Sequence, residues 1–124
     1  MQDSSAHHPP IPGSDAVAEI RTTFPRRSAA DACAARLVAE RLAACVQIDG
    51  PIKSLYRWQG AVDSADEFRC ICKTSPERAE ACVVGILASH EYDNPEVITA
   101  IVRASPAYAA WVRESVEPEG RGDA

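Results

Sequence analysis

The sequence lacks the patterns that mark membrane proteins and nucleic-acid-binding proteins. No apolar run is long enough to span a bilayer, so we expect no membrane segment. Lys and Arg number 13 against 18 Asp and Glu, and the net charge of −5 disfavours phosphate backbones and anionic membrane surfaces. The strand that would carry the stacking aromatics of an RNA-binding sheet offers only Phe68. We therefore expect neither nucleic acid nor membrane as a partner.

Export signals, metal-binding motifs and catalytic signatures are also missing. The first ten residues contain neither a basic nor an apolar segment, which predicts a cytoplasmic protein. There is no C-x-x-C, no H-x-x-x-H and no Gly-rich phosphate loop, and no nucleophile signature surrounds any cysteine. We therefore expect no enzymatic activity, no organic cofactor, and reduced thiols at Cys33, Cys45, Cys70, Cys72 and Cys82. Cys70 and Cys72, on one face of a strand, are expected to be small core residues.

What the sequence does contain is a long β-hairpin formed by residues 42–60 and 66–74. Gln59-Gly60 supplies the tight turn, and Gly50-Pro51 indicates a bulge or an edge. The expected register places Trp58 opposite Ala61, Tyr56 opposite Asp63, and Cys45 near Thr74. Strands usually run about 5–6 residues, so this hairpin outruns its sheet and leaves side chains uncovered. Another copy of the same chain is the simplest cover.

The remaining sequence predicts two further strands and three helices. Alternation predicts a strand over residues 16–23, and a β-branched run over residues 96–103 predicts a last strand covered on both faces. A short terminal helix begins at Ser105-Pro106. The first of the two longer helices is expected to have a cap formed by Ser28 and Asp31, and its buried stripe is Ala34, Leu37, Val38 and Leu42. The second is expected to run from Thr74-Ser75-Pro76-Glu77 to His90, and its buried stripe is Ala79, Val83, Ile86 and Leu87.

This order, β-α-β-β-α-β with a terminal helix, predicts an α+β fold of the ferredoxin-like type. Right-handed crossovers place both longer helices on one side of the sheet, so the other side should be bare and apolar, which favours an obligate oligomer. The domain is expected over residues 16–117, between disordered tails at residues 1–15 and 118–124.

Several blocks of the chain resemble the CutA divalent-cation-tolerance proteins. They are Arg41-Leu42-Ala43-Ala44-Cys45-Val46, Ser54-Leu55-Tyr56-Arg57-Trp58-Gln59-Gly60, Glu67 with Lys73-Thr74, His90-Glu91-Tyr92-Asp93-Asn94-Pro95-Glu96-Val97, and Tyr108 with Trp111. The resemblance implies a homotrimer with a PII-like architecture that binds copper and other divalent cations and has no known reaction. Glu91 stands where that family usually has Pro, and Asp93 where it usually has Glu.

The candidate metal ligands are Cys45, Glu67 and His90. Thiolate, carboxylate and imidazole together suit Cu(II) or another divalent cation, and in this layout they converge only near the sheet edge or across a subunit interface. Other roles remain open. Cys45 fits a buried small residue, His90 a helix C-cap, and Glu67 a cross-strand partner of Lys53.

A second set of residues belongs to an interface or a cleft between subunits. For the aromatic members we favour interface packing over ligand stacking. An alternative function follows from this set, a PII-like trimeric signalling module that binds a small molecule between subunits. The set comprises Tyr56, Trp58, Lys73, Tyr92, Glu96 and Trp111.

Overall fold

The computed structural model describes residues 15–118, and it confirms the predicted order of elements. The elements are β1 (Ala16–Phe24), α1 (Arg27–Ala39), β2 (Cys45–Trp58), β3 (Ala61–Thr74), a 3₁₀ turn (Pro76–Arg78), α2 (Ala79–Ser89), β4 (Val97–Arg103) and α3 (Pro106–Ser115). No helix in this range is long and apolar enough to cross a membrane. The two predicted tails, apart from Asp15 and Pro118, lie outside the described residues.

The four strands form one antiparallel sheet in the order β2-β3-β1-β4. β1 lies inside the sheet, and its residues Ile20 and Phe24 are fully buried beneath α1 and α2. Four cysteines complete this core as small apolar residues, as predicted for two of them, Cys70 and Cys72; the other two are Cys33 and Cys82. Cys45 is only half-buried.

The hairpin has the predicted turn and most of the predicted register. Gln59 and Gly60 both have positive φ, 50° and 82°, the geometry of a two-residue turn that matches strand twist. Trp58 pairs with Ala61 and Tyr56 with Asp63, as expected. The predicted pairing of Cys45 near Thr74 is off by one residue, because a bulge at Gly50-Pro51 puts two β2 residues opposite one of β3; Cys45 pairs with Lys73.

Gly50 explains why the bulge fits at this position. Its φ is 147°, and a Cβ built on it would lie 2.8 Å from the carbonyl oxygen of Glu67 and 2.8 Å from the ring of Phe68. Only glycine allows this close backbone approach.

Several details of the helices differ from the sequence prediction. α1 begins at Arg27 without a side-chain cap, and Asp31 instead lies 3.6 Å from Arg27 as an i,i+4 ion pair, so the predicted Ser28 and Asp31 cap is wrong. Of the stripe predicted for α1, Leu37 is buried, Ala34 and Leu42 are half-buried, and Val38 is exposed. In α2 Leu87 is likewise exposed. The residues actually buried are Ala30, Cys33 and Leu37 in α1, and Cys82, Gly85 and Ile86 in α2.

The sequence predicted that the second face of the sheet is bare and apolar. In the structure this face is partly covered and carries polar side chains as well. α3 covers one end of it, where Ala109 and Val112 pack against Val17 of β1. The rest carries polar pairs, in which Arg69 Nη2 donates to Asp49 at 2.7 Å and Lys73 Nζ donates to Gln47 at 2.8 Å.

β4 is an edge strand with exposed side chains, so the prediction that it is covered on both faces is wrong for the single chain. Ile98 on one face and Ile101 on the other are about half exposed. β4 is apolar in sequence, as predicted, but within the sheet it has β1 as a neighbour on one side and, among residues 15–118, no strand on the other. An apolar edge strand of this kind is open to pairing with another chain.

The outer part of the hairpin, residues 52–67, extends beyond the sheet, and we call it the arm. β1 pairs with β3 only as far as Phe24 and Phe68, so the arm strands pair with each other alone. Both faces of the arm carry apolar side chains, with Leu55 (66% exposed) and Val62 (65%) on one face and Tyr56 (42%) and Trp58 (59%) on the other. The predicted overhang is therefore confirmed.

Candidate functional site

His90 is fixed where α2 ends above the last residues of β1. The helix C-cap falls at this residue, and its backbone N–H donates to the Leu87 carbonyl at 3.3 Å. Its ring stacks on Phe24 with centroids 4.2 Å apart and planes 9° apart, and its Nε2 lies 3.0 Å from Thr22 Oγ1. The predicted C-cap position is confirmed, but the imidazole contacts β1 rather than the last helix carbonyls.

Tyr92 links His90 to Glu67. The Tyr92 backbone N–H donates to His90 Nδ1 at 3.3 Å, and its ring stacks on the imidazole at 5.2 Å between centroids. Its hydroxyl donates to Glu67 Oε2 at 2.9 Å. Because Nδ1 accepts this hydrogen bond, the proton of the neutral imidazole lies on Nε2, where it is donated to Thr22. We call His90, Tyr92 and Glu67 the His90 cluster.

The electrostatics of the His90 cluster favour uncharged rings. Burial lowers the pKa of His90, against smaller opposing contributions from the Thr23 backbone, Glu91 and Glu67. Burial together with the hydrogen bond to Glu67 raises the pKa of Tyr92 to about 12. At neutral pH the imidazole of His90 is therefore neutral and the phenol of Tyr92 is protonated.

Cys45 lies at the opposite end of the sheet from the His90 cluster. It pairs with Lys73, which is six residues along β3 from Glu67, and six rises amount to roughly 20 Å. Its neighbour there is Tyr108 of α3, whose pKa is raised by burial and then by the charges of Cys45 and Glu19. Tyr108 in turn lies 5.6 Å from Trp111 between ring centroids. The structure thus brings Glu67 and His90 together and leaves Cys45 out.

The single chain does not fit a preformed metal centre. Within residues 15–118 there is no group of three or more His, Cys, Asp or Glu side chains that could hold an ion. In the His90 cluster both imidazole nitrogens already have hydrogen-bond partners, and one oxygen of Glu67 is taken by the Tyr92 hydroxyl. An ion at His90 would have to displace Thr22 or the Tyr92 amide.

Of the two residues that depart from the family pattern, Glu91 and Asp93, only Glu91 has a side-chain hydrogen bond or ion pair among the described residues. Glu91 accepts a hydrogen bond from Arg26 at 2.9 Å, which ties the segment after α2 to the N-cap residue of α1. Such an exposed pair contributes about 0–1 kcal/mol, so it orients the segment more than it stabilises the fold. Asp93 and Glu96 are exposed.

Three residues that support His90 and Glu91 were not predicted from the sequence: Thr22, Phe24 and Arg26. All three belong to β1 or its end, more than 60 residues before the groups they contact. The alternation of β1 placed Thr22 in one row, but no local signal connects that row with the end of α2. The proposed pairing of Glu67 with Lys53 is also wrong, since Lys53 pairs with Asp66 and Glu67 accepts from Tyr92.

Comparison with known proteins identifies the family. The family model described as CutA1 divalent ion tolerance protein matches residues 19–115. The chain belongs to the CutA1 family. A CutA1 structure from Oryza sativa superposes with a TM-score of 0.80 at 32% identity, covering 85% of this chain and 97% of that one. The family resemblance and the fold predicted from the sequence are both confirmed.

Two sequence relatives show how widely the family is spread. The chloroplastic protein CutA of Arabidopsis thaliana is 38% identical over 116 residues, which is 93% of this chain and 60% of that protein. The divalent-cation tolerance protein CutA of Archaeoglobus fulgidus is 36% identical over 99 residues, 79% of this chain and 96% of that protein. The chain therefore spans less than two thirds of its plant relative and nearly all of its archaeal one.

Proposed function

We propose that this chain is a cytoplasmic, non-enzymatic divalent-cation-tolerance protein that works as a homotrimer and binds Cu(II) or another divalent cation without an organic cofactor. Membership of the CutA1 family supports the general role. The observation that carries the assembly is the arm, whose apolar side chains project on both faces beyond the sheet and have no cover within residues 15–118.

The cation site in this proposal lies between copies. Cys45 is roughly 20 Å along the sheet from Glu67 and His90, so one chain cannot supply all three ligands to one ion. Cys45 has an intermediate burial and a free thiol, and it stays a candidate ligand. Glu67 keeps one oxygen that is not used by Tyr92. A copy that brought its Cys45 end to the His90 cluster of its neighbour would complete a mixed thiolate, carboxylate and imidazole set.

Calorimetric titration of tag-free protein with Cu(II), Zn(II) and Mg(II) tests cation binding. We expect Cu(II) to bind most tightly, and His90→Ala, Cys45→Ser and Glu67→Gln each to weaken it at least about tenfold. The matched control is His7→Ala/His8→Ala, which removes the adjacent imidazoles of the N-terminal segment. Cu(II) affinity that depends on the control pair and on none of the three candidates would refute the proposed ligand set.

The alternative, a PII-like module that holds a small molecule between subunits, is favoured by one observation. Both imidazole nitrogens of His90 already have hydrogen-bond partners and the rings are neutral, so the Glu67 oxygen that Tyr92 does not use would accept from an uncharged polar ligand more readily than the cluster would hold an ion. A thermal-shift screen of nucleotides and metabolites against the metal-free protein separates the two functions. A ligand whose stabilisation is lost in Tyr92→Phe and unaffected by metals would select the alternative.

A further inference from the structure

A cleft with two arginines lies away from the His90 cluster, where the end of α1 meets the start of α2 and the residues after α3. Its volume is about 370 Å³, within the range of small-molecule sites, and it is open to solvent. The residues that line it are Ala39, Glu40, Arg41, Arg78 and Pro118. Nothing in the proposed cation-binding function uses them.

Arg41 is held in this cleft by the backbone at the end of α1. The amide of Leu42 donates to the Leu37 carbonyl at 2.9 Å, and the amide of Arg41 donates to Val38 at 3.1 Å, the two hydrogen bonds of a Schellman motif. Arg41 therefore occupies the left-handed position with φ of 58°, where glycine is the usual residue. A long cationic side chain has been placed where a residue without a side chain fits best.

Arg78 reaches the same cleft from the 3₁₀ turn before α2. Ser75 caps this turn by accepting from the Arg78 amide at 3.2 Å, which fixes the start of the arginine side chain. Nη2 donates to the Arg41 carbonyl at 3.2 Å, and Nε is buried with no hydrogen-bond partner within residues 15–118. A charged donor that is desolvated and incompletely paired is costly, so this guanidinium is short of acceptors.

Glu40, which also lines the cleft, and Glu77, which precedes Arg78 in the chain, both pair with other arginines. Glu40 accepts from Arg36 Nε at 3.2 Å, and the Glu77 carboxylate lies 3.9 Å from Arg113. Among the described residues, neither Arg41 nor Arg78 has a carboxylate within 4.0 Å. Arg41 and Arg78 thus line one cleft in which neither has a carboxylate partner among the described residues, in a chain whose net charge is −5. The attraction for anions is local to this cleft.

We propose that this cleft binds a phosphate-type oxyanion, either inorganic phosphate or the phosphoryl group of a small metabolite. Guanidinium groups recognise such groups through pairs of parallel N–H···O bonds, and two arginines match the several oxygens of one phosphoryl group. The volume leaves room for the rest of a small phosphorylated molecule beside the phosphoryl group. This site is independent of the cation site, and its success or failure leaves the proposed function unchanged.

A phosphorus NMR titration of the full chain with inorganic phosphate, at constant ionic strength, tests the proposal. We expect saturable binding that Arg41→Gly weakens about ten- to a hundredfold, the worth of charge-assisted hydrogen bonds. Glycine adopts a φ of 58° without steric cost, so this variant loses the guanidinium without loss of folding. Arg78→Lys keeps the charge but loses the planar fork, and it is expected to weaken phosphate binding as well.

The matched control is Arg27→Ala, which removes the same single positive charge from the opposite end of α1. Phosphate affinity unchanged in this variant and reduced in Arg41→Gly supports the site. Non-saturable binding, or an equal loss in Arg41→Gly and Arg27→Ala with no loss in Arg78→Lys, would show that phosphate senses only overall charge and would overturn the proposal.

Discussion

The two ends of the β2–β3 hairpin differ in how far the single chain buries their apolar side chains. At its base, Cys70 and Cys72 are fully buried between β1 and the helices, and every neighbour they need belongs to the same chain. In the arm, Leu55 and Val62 are about two-thirds exposed although they are just as apolar. The base is therefore a core completed by one chain, and the arm is an apolar surface on which we expect another chain to pack.

The largest expected effect comes from charging the arm. Val62→Asp should abolish association at micromolar concentration, because a carboxylate buried without a partner costs about 3 kcal/mol or more. Val84→Asp is the matched control, since Val84 is equally exposed (60%) but lies on the outer side of α2. Sedimentation velocity on both variants measures the effect. If Val62→Asp and Val84→Asp sedimented as the same species, the arm would matter no more for association than the outer side of α2.

Truncating the core should damage the fold of each chain instead. Phe24→Ala removes a fully buried ring that also stacks on His90, and we expect it to lower the free energy of unfolding by about 3–5 kcal/mol. Chemical denaturation at a fixed protein concentration measures this loss. A loss below about 1 kcal/mol would mean that the base does not rely on its own core.

A smaller effect is expected where the arm joins the base. Tyr92→Phe removes the hydroxyl that donates to Glu67 at 2.9 Å and leaves the stacked ring in place. The free energy of unfolding should fall by about 1 kcal/mol, the net worth of one hydrogen bond. Thermal unfolding of Tyr92→Phe against the parent chain reports this loss. A variant as stable as the parent would show that the link between Tyr92 and Glu67 is not formed in solution.

The smallest effect is a change in how stability depends on pH. The folded chain lowers the pKa of His90 below its ordinary value of about 6.5, so the unfolded chain takes up a proton first as the pH falls. Stability from His90 is thus complete above about pH 6.5 and is lost as the pH falls through the lower folded pKa. His90→Gln should flatten the decline in melting temperature below about pH 6.5. An unchanged decline would show that His90 does not cause the loss of stability at low pH.

Local signals were sufficient to predict the hairpin and the order of elements. Gly60 fixed the turn, and the turn fixed the partners of Trp58 and Tyr56, because register near a tight turn is set by the turn itself. The partner of Cys45 was missed by one residue, since the bulge at Gly50-Pro51 was recognised but its extra residue was not carried into the register.

Burial and the site depended on contacts that no local pattern contains. β4 has the sequence of a doubly covered strand, yet it lies at an edge, because strand order is decided by the whole sheet. Glu67 and His90 were chosen as candidates from their chemistry, but their connection through Tyr92 joins segments that are 25 residues apart along the chain. Thr22 and Phe24 beneath the imidazole are farther still.

We expect several copies of the chain to complete one another at the arm and at β4. Sedimentation velocity of the unmodified protein at micromolar concentration tests this expectation most directly. We predict one species with three times the mass of the 13.3 kDa chain. A folded, soluble species of 13.3 kDa, with the arm protected from proteolysis, would contradict it.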